Sequence, residues 1–543
     1  MNTLTKKDIC WGSGAALISA CLMALWYSFD HHIPMMDEAG HILNGLGYRE
    51  LFSHPRPWRI EWLQKSLSVN GFYPPTVYIL TGLVKTALGP GRHWDILVQV
   101  FFTFLLTGSV FFTARLLQLP LIAALTSALI INLYPETSSL NHLFMLDFPA
   151  LAAAAFGICL LIIWWHWPTW RNAVMCGILL GFCCLTKQIV AAFLLGTGFF
   201  YFVAALKNKD PIERKKLIGQ IFVLAGSTAL VGAPWLLINY KSMHAINEYA
   251  QTNLVSAGQK MAPWQSMLYY LKSYFYTLSP AGCLLFLVSI FAAGKQANKQ
   301  LAPVWASALL GFFLMCNYVY PLERYITPTL ILAALVSGAA LSNLAQIKNI
   351  GAKIATGLIL GLLAIQYLSY NFTPYPISLP PLTALSKMLG VRLETSLFSR
   401  DGTKENPFPL EDWGYDWTLN NISKRDGKAP VYLNVMANKT NLNAQTFDLA
   451  TREKGSPIRA TTSRIWSIVG DSYEFDPVKT MYFHWFLVKE GDHGAPFKDE
   501  KSKQDYAALK TFLSTSGKFE EIGRHICPDK DELILYRQRG LSF

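Results

Sequence analysis

The sequence predicts a polytopic α-helical membrane protein of about eleven transmembrane helices, followed by a C-terminal extracytoplasmic α/β domain. Three observations carry this. Apolar residues make up 52% of the 543 and charged residues only 15%, against roughly a quarter charged in an ordinary soluble chain. Eleven runs are long and apolar enough to lie in a bilayer, where no water satisfies exposed backbone groups. Charge is also unevenly divided: from Phe372 onward the chain holds 23 basic and 22 acidic side chains, more than half of the total.

The net charge of +12 therefore belongs almost wholly to the apolar part. That placement argues against nucleic acid, which wants its basic stripe on a soluble face. Abundant aromatics, no G-x-y period and no sustained heptad exclude collagen-like, coiled-coil and disordered classes. Eight of the nine cysteines fall in apolar runs and read as small hydrophobes. Cys527 stands alone in the tail, so no disulfide forms within it, and no C-x-x-C spacing points to a zinc site.

The first run, Ile9 to Phe29, follows Lys6 and Lys7 and lacks a small-residue cleavage site, so it reads as a retained span and not a signal peptide. The others lie at about 95–115, 121–139, 148–166, 172–186, 188–206, 217–238, 266–293, 303–320, 325–345 and 354–371. Lys and Arg in short connections stay cytoplasmic. With the N-terminus inside, Arg115, Arg171, the basic run from Lys207 to Lys216, Lys295, Lys299, Lys348 and Lys353 all fall on that side. Eleven spans then deliver loop 30–94 and the tail to the outside. Within that loop Pro74 to Gly89, about 16 residues containing Lys85, reads as an interfacial or re-entrant helix, since a span needs about 20. A second external loop is expected at about 239–265, with Tyr240, Lys241, His244, Glu248 and Tyr249.

Pro374, Pro376, Pro380 and Pro381 mark a linker. Beyond it, strand-like runs at Val431 to Val435, Arg459 to Ile468, Met481 to Val488 and Leu533 to Tyr536 alternate with helical pattern at about 441–454 and 503–515. That alternation predicts a small α/β domain, dividing the chain into 1–371 and 372–543. No G-x-G-x-x-G and no Walker motif suggests a nucleotide site in it.

Charge near a bilayer is costly and usually functional. Asp37 and Glu38 occur together just beyond the first span, where Asp37 equally reads as the N-cap of a short helix. Asp147 precedes Phe148-Pro149 at the outer start of a span, where a cap is again the plain reading. Arg324, in Pro321-Leu322-Glu323-Arg324-Tyr325, either snorkels or holds a phosphate through its planar fork of donors. Lys187, between two apolar halves, is a second phosphate candidate or a snorkelling turn residue. The topology puts all of them on one side. A carboxylate facing an external cavity can act as general base while a cation stabilises a phosphate leaving group. Such a set suits transfer from a lipid phosphate whose hydrocarbon chain stays in the bilayer.

At these residues the chain resembles the membrane-embedded GT-C glycosyltransferases, the superfamily that includes lipid A aminoarabinose transferases and protein O-mannosyltransferases. Asp37-Glu38 corresponds to the acidic pair of the first external loop. Tyr73-Pro74-Pro75-Thr76-Val77-Tyr78 resembles the Pro-Pro-aliphatic-Tyr element, and Met145-Leu146-Asp147 the second-loop acid. Gly177 to Lys187 resembles the Gly-rich span ending in Thr-Lys, and Glu323-Arg324-Tyr325-Ile326-Thr327-Pro328 the late Arg-Tyr-x-x-Pro turn. The likeness covers about residues 9–345. Asn70-Gly71-Phe72-Tyr73 lacks the Glu-x-Lys of the aminoarabinose branch, which weakens a lipid A-specific assignment.

The resemblance implies an inverting glycosyltransferase of the cytoplasmic membrane that uses a polyprenyl-phosphate sugar, with a soluble periplasmic or extracellular domain after the last span. By it Asp37 is the base. Glu38 and Asp147 orient donor or acceptor, or hold a divalent cation as in some members; no motif calls for any other cofactor. Arg324 and Lys187, with Arg56 and Arg59 of the first loop, would neutralise the phosphate, and Tyr73, His142 and Tyr325 would contact substrate. The acceptor stays open among glycolipid, polysaccharide and protein. The competing reading is a transporter or flippase of lipid-linked sugars; it is disfavoured because no repeated halves or midplane broken helices are evident and the acids gather at one face.

Overall fold

The computed structural model describes residues 4–30, 33–256, 260–318, 320–346, 350–372, 384, 387–388, 411–427, 430–465 and 470–540. The linker prolines lie outside these residues. The helical part begins with α1 (Lys6–Phe29), α2 (Met36–Ser53), α3 (Ile60–Ser68), α4 (Thr76–Leu88), α5 (Asp95–Leu116), α6 (Leu121–Leu133), α7 (Pro135–His142) and α8 (Asp147–His166). It continues with α9 (Trp170–Cys184), α10 (Ile189–Leu206), α11 (Pro211–Ser256), α12 (Pro263–Thr277), α13 (Ser279–Ala292), α14 (Gly294–Gln300) and α15 (Ala302–Cys316). A 3-10 turn (Glu323–Thr329), α16 (Leu330–Gln346) and α17 (Ile350–Phe372) complete it.

Every expected apolar run is helical, but among the described residues only six helices are long and apolar enough to cross a membrane, or eight if each of two bent pairs is one span. The bent pairs are α12 with α13, at 109°, and α14 with α15, at 67°. The first breaks at Ser279-Pro280, where the residue before proline is disfavoured from helix and Ser279 has φ 69°. Three shorter apolar helices, α6, α9 and the Lys353–Leu368 part of α17, occupy the other three expected runs. The 121–139 run ends early at Tyr134 because Pro135 opens a new helix, α7.

Contacts fix which helix ends lie together. Arg115, ending α5, donates to Asp8 at the start of α1 (2.7 Å), and His166, ending α8, bonds the Leu116 carbonyl (2.9 Å). Asp37, which follows α1, and Asp147, which opens α8, are therefore at the opposite end of the bundle. Helix α4 does not run between the two ends. Its first residue bonds the Leu185 carbonyl (3.1 Å), two residues before Lys187, and its last turn carries Lys85, fully buried against Asp95 at the head of α5 (2.9 Å). Its 13 residues span only about 20 Å, and both of its ends meet residues from that same end of the bundle.

The segment expected as a loop at 239–265 is helical through Ser256. Helix α11 continues through Pro234 to Ser256, so Tyr240 to Tyr249 are helical. Polarity there marks departure from apolar surroundings, not the end of the helix, and no glycine or second proline intervenes.

The tail forms a five-stranded mixed sheet, ordered β2-β1-β3-β5-β4. The strands are β1 (Val431–Val435), β2 (Ile458–Thr461), β3 (Trp485–Lys489), β4 (Phe519–Ile526) and β5 (Glu532–Gln538). Helices Tyr415–Asp426, Ala444–Glu453 and Glu500–Thr515 cover it. Strand β2 stops well before Ile468, and residues 466–469 lie outside those described. Met481 to His484 forms turn before β3. Strand β4 and the helix Tyr415–Asp426 lie beyond the sequence expectations, because Glu520, Glu521, Arg524 and His525 break the apolar alternation of β4.

Candidate active site

Helix α2 begins at Met36, not after Asp37. The Glu38 carboxylate accepts the Met35 N–H (3.1 Å) and, with its other oxygen, the Phe144 N–H (3.0 Å). Glu38 thus both closes the helix start and ties it to the segment leading into Asp147. Helix starts favour a carboxylate that accepts their orphan N–H groups. The N-cap expectation therefore falls on the wrong member of the pair: Glu38 is engaged by backbone, and Asp37, with its side chain 58% exposed, faces a cavity.

That cavity has a volume of about 380 Å³ and is lined by Asp37, Glu38, Glu136, Glu323, Arg324 and Thr440, among others. The Arg324 guanidinium, held by the 3-10 turn, lies 4.0 Å from Asp37 and 3.8 Å from Asp147. Among the described residues its buried Nε–H has no hydrogen-bond partner. Asp147, only 2% exposed, accepts from Lys187 on its other oxygen. Lys187 also lies over the Tyr325 ring, 5.1 Å from its centre. Burial pushes the Lys187 ammonium below its ordinary value, although Asp147 pulls the other way.

Behind this group sits His41, one helical turn on from Asp37. It is buried, hydrogen-bonded through Nδ1 to the Tyr78 hydroxyl (2.8 Å), and edge-on to Tyr73 at 5.3 Å. Burial, then the Lys187 charge, drives its pKa down to about 3, so the imidazole is neutral. Tyr73 is pushed up to about 12, chiefly by burial.

The structure therefore gathers Asp37, Asp147, Lys187 and Arg324 with Tyr73 and Tyr325 beside them. It does not gather the rest. Arg56 and Arg59 are exposed near the start of α3, and among the described residues no ion pair joins them to an acid. The loop there turns its polar side to solvent, while α3 packs on α11. His142 is buried and stacked face to face on Trp26 of α1 at 3.6 Å, and it is not among the residues that line the cavity. For a divalent cation the donors do not fit: Glu38 accepts backbone N–H groups, Asp147 faces two cations, and among the described residues no group of three His, Cys, Asp or Glu could hold a metal. His41, Glu136, Glu323 and Thr440 join the site beyond the sequence candidates. Of these His41 had a signal, its four-residue spacing from Asp37.

Comparison with solved structures bears on the arrangement. The crystal structure of ArnT from Cupriavidus metallidurans in the apo state matches with a TM-score of 0.55 and 14% identity, over 96% of this chain and 97% of that one. The chain shares the fold of ArnT. A second ArnT structure from the same organism, bound to undecaprenyl phosphate, matches with a TM-score of 0.55 and 12% identity, over 97% of this chain and 98% of that one. No family model and no curated protein matches the sequence. The likeness to ArnT runs through both the helical bundle and the sheet domain, and the fold expected from the motifs is the fold found.

Proposed function

We propose that this chain is an inverting glycosyltransferase that moves a sugar from a polyprenyl-phosphate donor to an acceptor at the outer face of the cytoplasmic membrane. Its N-terminus lies inside, residues 1–371 form the membrane catalytic part and 372–543 the external domain. The observation that carries the reading is the Arg324 guanidinium, set between Asp37 and Asp147, with a buried Nε–H that has no hydrogen-bond partner among the described residues. A cation so placed beside an exposed carboxylate suits a reaction in which a proton leaves one group and a phosphate leaves another. The undecaprenyl phosphate bound by the ArnT of similar fold supports that donor class.

In this mechanism Asp37 takes the proton from an acceptor hydroxyl or amine. The freed lone pair attacks the anomeric carbon from the face opposite the phosphate. The carbon–oxygen bond to phosphate breaks, its electron pair leaves with the polyprenyl phosphate, and the configuration inverts. Arg324 and Lys187 neutralise the departing charge, the kind of preorganised stabilisation that gives large rate effects. Asp147 holds both cations in place before the donor arrives. Tyr73 and Tyr325 offer aromatic faces to the sugar.

The test is direct. The purified full-length chain in detergent, given a total envelope extract from cells lacking the gene, which carries both the lipid-linked sugars and the unmodified acceptor, is expected to release free polyprenyl phosphate. A protein that only moves the lipid across the membrane releases none, and that result would overturn the proposal.

A further inference from the structure

The sheet domain is not simply tethered to the bundle; it is built into the cavity. Its helix Ala444–Glu453 packs along α2. Leu449 of that helix is fully buried within the core of the helical part, and Ile33, just before α2, packs on the core of the sheet domain. Thr446 Oγ1 donates to the Pro34 carbonyl (3.2 Å). The Met36 N–H, at the first position of α2 and next to Asp37, donates to the Thr440 carbonyl (3.1 Å).

Thr440 sits at the tip of the loop after β1, and the loop is fixed from behind. Lys439 donates to Asp492 (2.8 Å) and Asp529 (2.6 Å). The Asn438 side chain donates to Asp471 (2.9 Å), which is paired with the equally buried Arg464 at 2.7 Å. Backbone bonds between Lys439 and Leu442 close the turn. A backbone held this way does not drift, so the start of α2 and the loop tip keep one register.

We infer that Thr440 is a positioning and specificity residue: the 438–443 loop walls the cavity beside Asp37 on the acceptor side and holds Asp37 at its working position. The inference rests on the glycosyltransferase reading. Arg324 and Lys187 take the donor phosphate, and Thr440 is the cavity-lining residue that the sheet domain contributes. A sheet domain that reaches the reacting space through a fixed loop selects which acceptor is presented to Asp37.

The test is Thr440→Trp in the full chain. The residue is exposed at the loop tip, so the larger ring occupies cavity space without entering the core. Two readouts are compared: undecaprenyl phosphate binding by native mass spectrometry, and sugar-modified surface glycoconjugates formed in cells lacking the chromosomal gene. Binding is expected to stay within about twofold while product falls roughly tenfold or more, since small misplacements of reacting groups cost that much. Val478→Trp, an equal enlargement on the exposed tail surface, keeps both. Wild-type product from Thr440→Trp, or equal loss of binding and product, overturns the inference while leaving the glycosyltransferase reading intact. No transfer by the unaltered chain overturns that reading, and this inference with it.

Discussion

The Nε of Arg324 stops 3.8 Å from the Asp147 carboxylate, short of hydrogen-bond distance, while the other Asp147 oxygen is taken by Lys187. The two cations are thus held apart by one acid, with donors of Arg324 still directed at the space beside Asp37. In the proposed mechanism a donor phosphate entering there would meet both cations, and the Arg324 Nε–H has no hydrogen-bond partner to give up among the described residues.

Asp37→Asn preserves the size of the side chain and removes its capacity to accept a proton. Donor turnover is expected to fall by about 10²–10⁴-fold, the usual worth of a general base, with undecaprenyl phosphate binding retained because Arg324 and Lys187 are untouched. Single-turnover kinetics with the extracted donor and the acceptor-containing envelope fraction checks this. A rate near that of the unaltered chain would remove Asp37 from the mechanism.

Lys187→Met leaves Asp147 buried without its closest cation. Breaking a buried pair by removing one partner costs about 3–5 kcal/mol, so thermal unfolding in detergent shifts sharply down. Lys187→Met combined with Asp147→Leu removes both charges and is expected to recover most of that stability. It does not recover undecaprenyl phosphate binding, because the second cation is still missing. Recovery of binding along with stability would make Lys187 purely structural.

How much of this was legible in the sequence follows from what each residue depends on. The sidedness of Asp37, Asp147 and Arg324 could be read because it depends only on the order of apolar runs, and the contacts Arg115–Asp8 and His166–Leu116 agree with it. The lone Lys85, which argued against α4 as a span, turns out to be neutralised by Asp95 at the same end of the bundle. The division of labour between Asp37 and Glu38 was not legible, because it turns on where α2 starts, and that start is set partly by the Phe144 N–H more than 100 residues away. Thr440 had no signal at all: nothing in its neighbours distinguishes it from any surface threonine, and docking of the sheet domain alone brings it to the cavity.

His41 gives a pH dependence with a definite sign. Its folded pKa, about 3, lies below the ordinary 6.5, so between these values the unfolded chain binds more protons. Stability from this group is complete above about 6.5 and is lost as pH falls toward 3, at up to about 1.4 kcal/mol per unit. Melting temperatures of the detergent-solubilised chain are expected to fall across that window. His41→Gln flattens this part of the curve, and an unchanged slope in that variant would assign the acid sensitivity elsewhere.

The Gly-rich stretch before Lys187 packs closely on α11. A Cβ on Gly177 would stand 2.4 Å from the Leu224 carbonyl and one on Gly181 2.5 Å from the Val231 Cβ, so α9 touches α11 through bare backbone. Thr228 Oγ1 donates to the Gly177 carbonyl across the same contact (3.0 Å). Small residues four apart allow such approach between apolar helices. Gly177→Ala forces α9 away from a carbonyl that cannot swing aside, at about 1–3 kcal/mol for overpacking, and α9 leads directly into the Lys187 turn. Both melting temperature and undecaprenyl phosphate binding are expected to fall. Gly198→Ala on α10 is the matched control, since its Cβ meets nothing within 4 Å. Either change raises intrinsic helix propensity by about 1 kcal/mol, so a loss confined to Gly177→Ala isolates the helix–helix contact as what sets Lys187 in place. Equal behaviour of the two variants would mean that Lys187 is positioned by Asp147 alone.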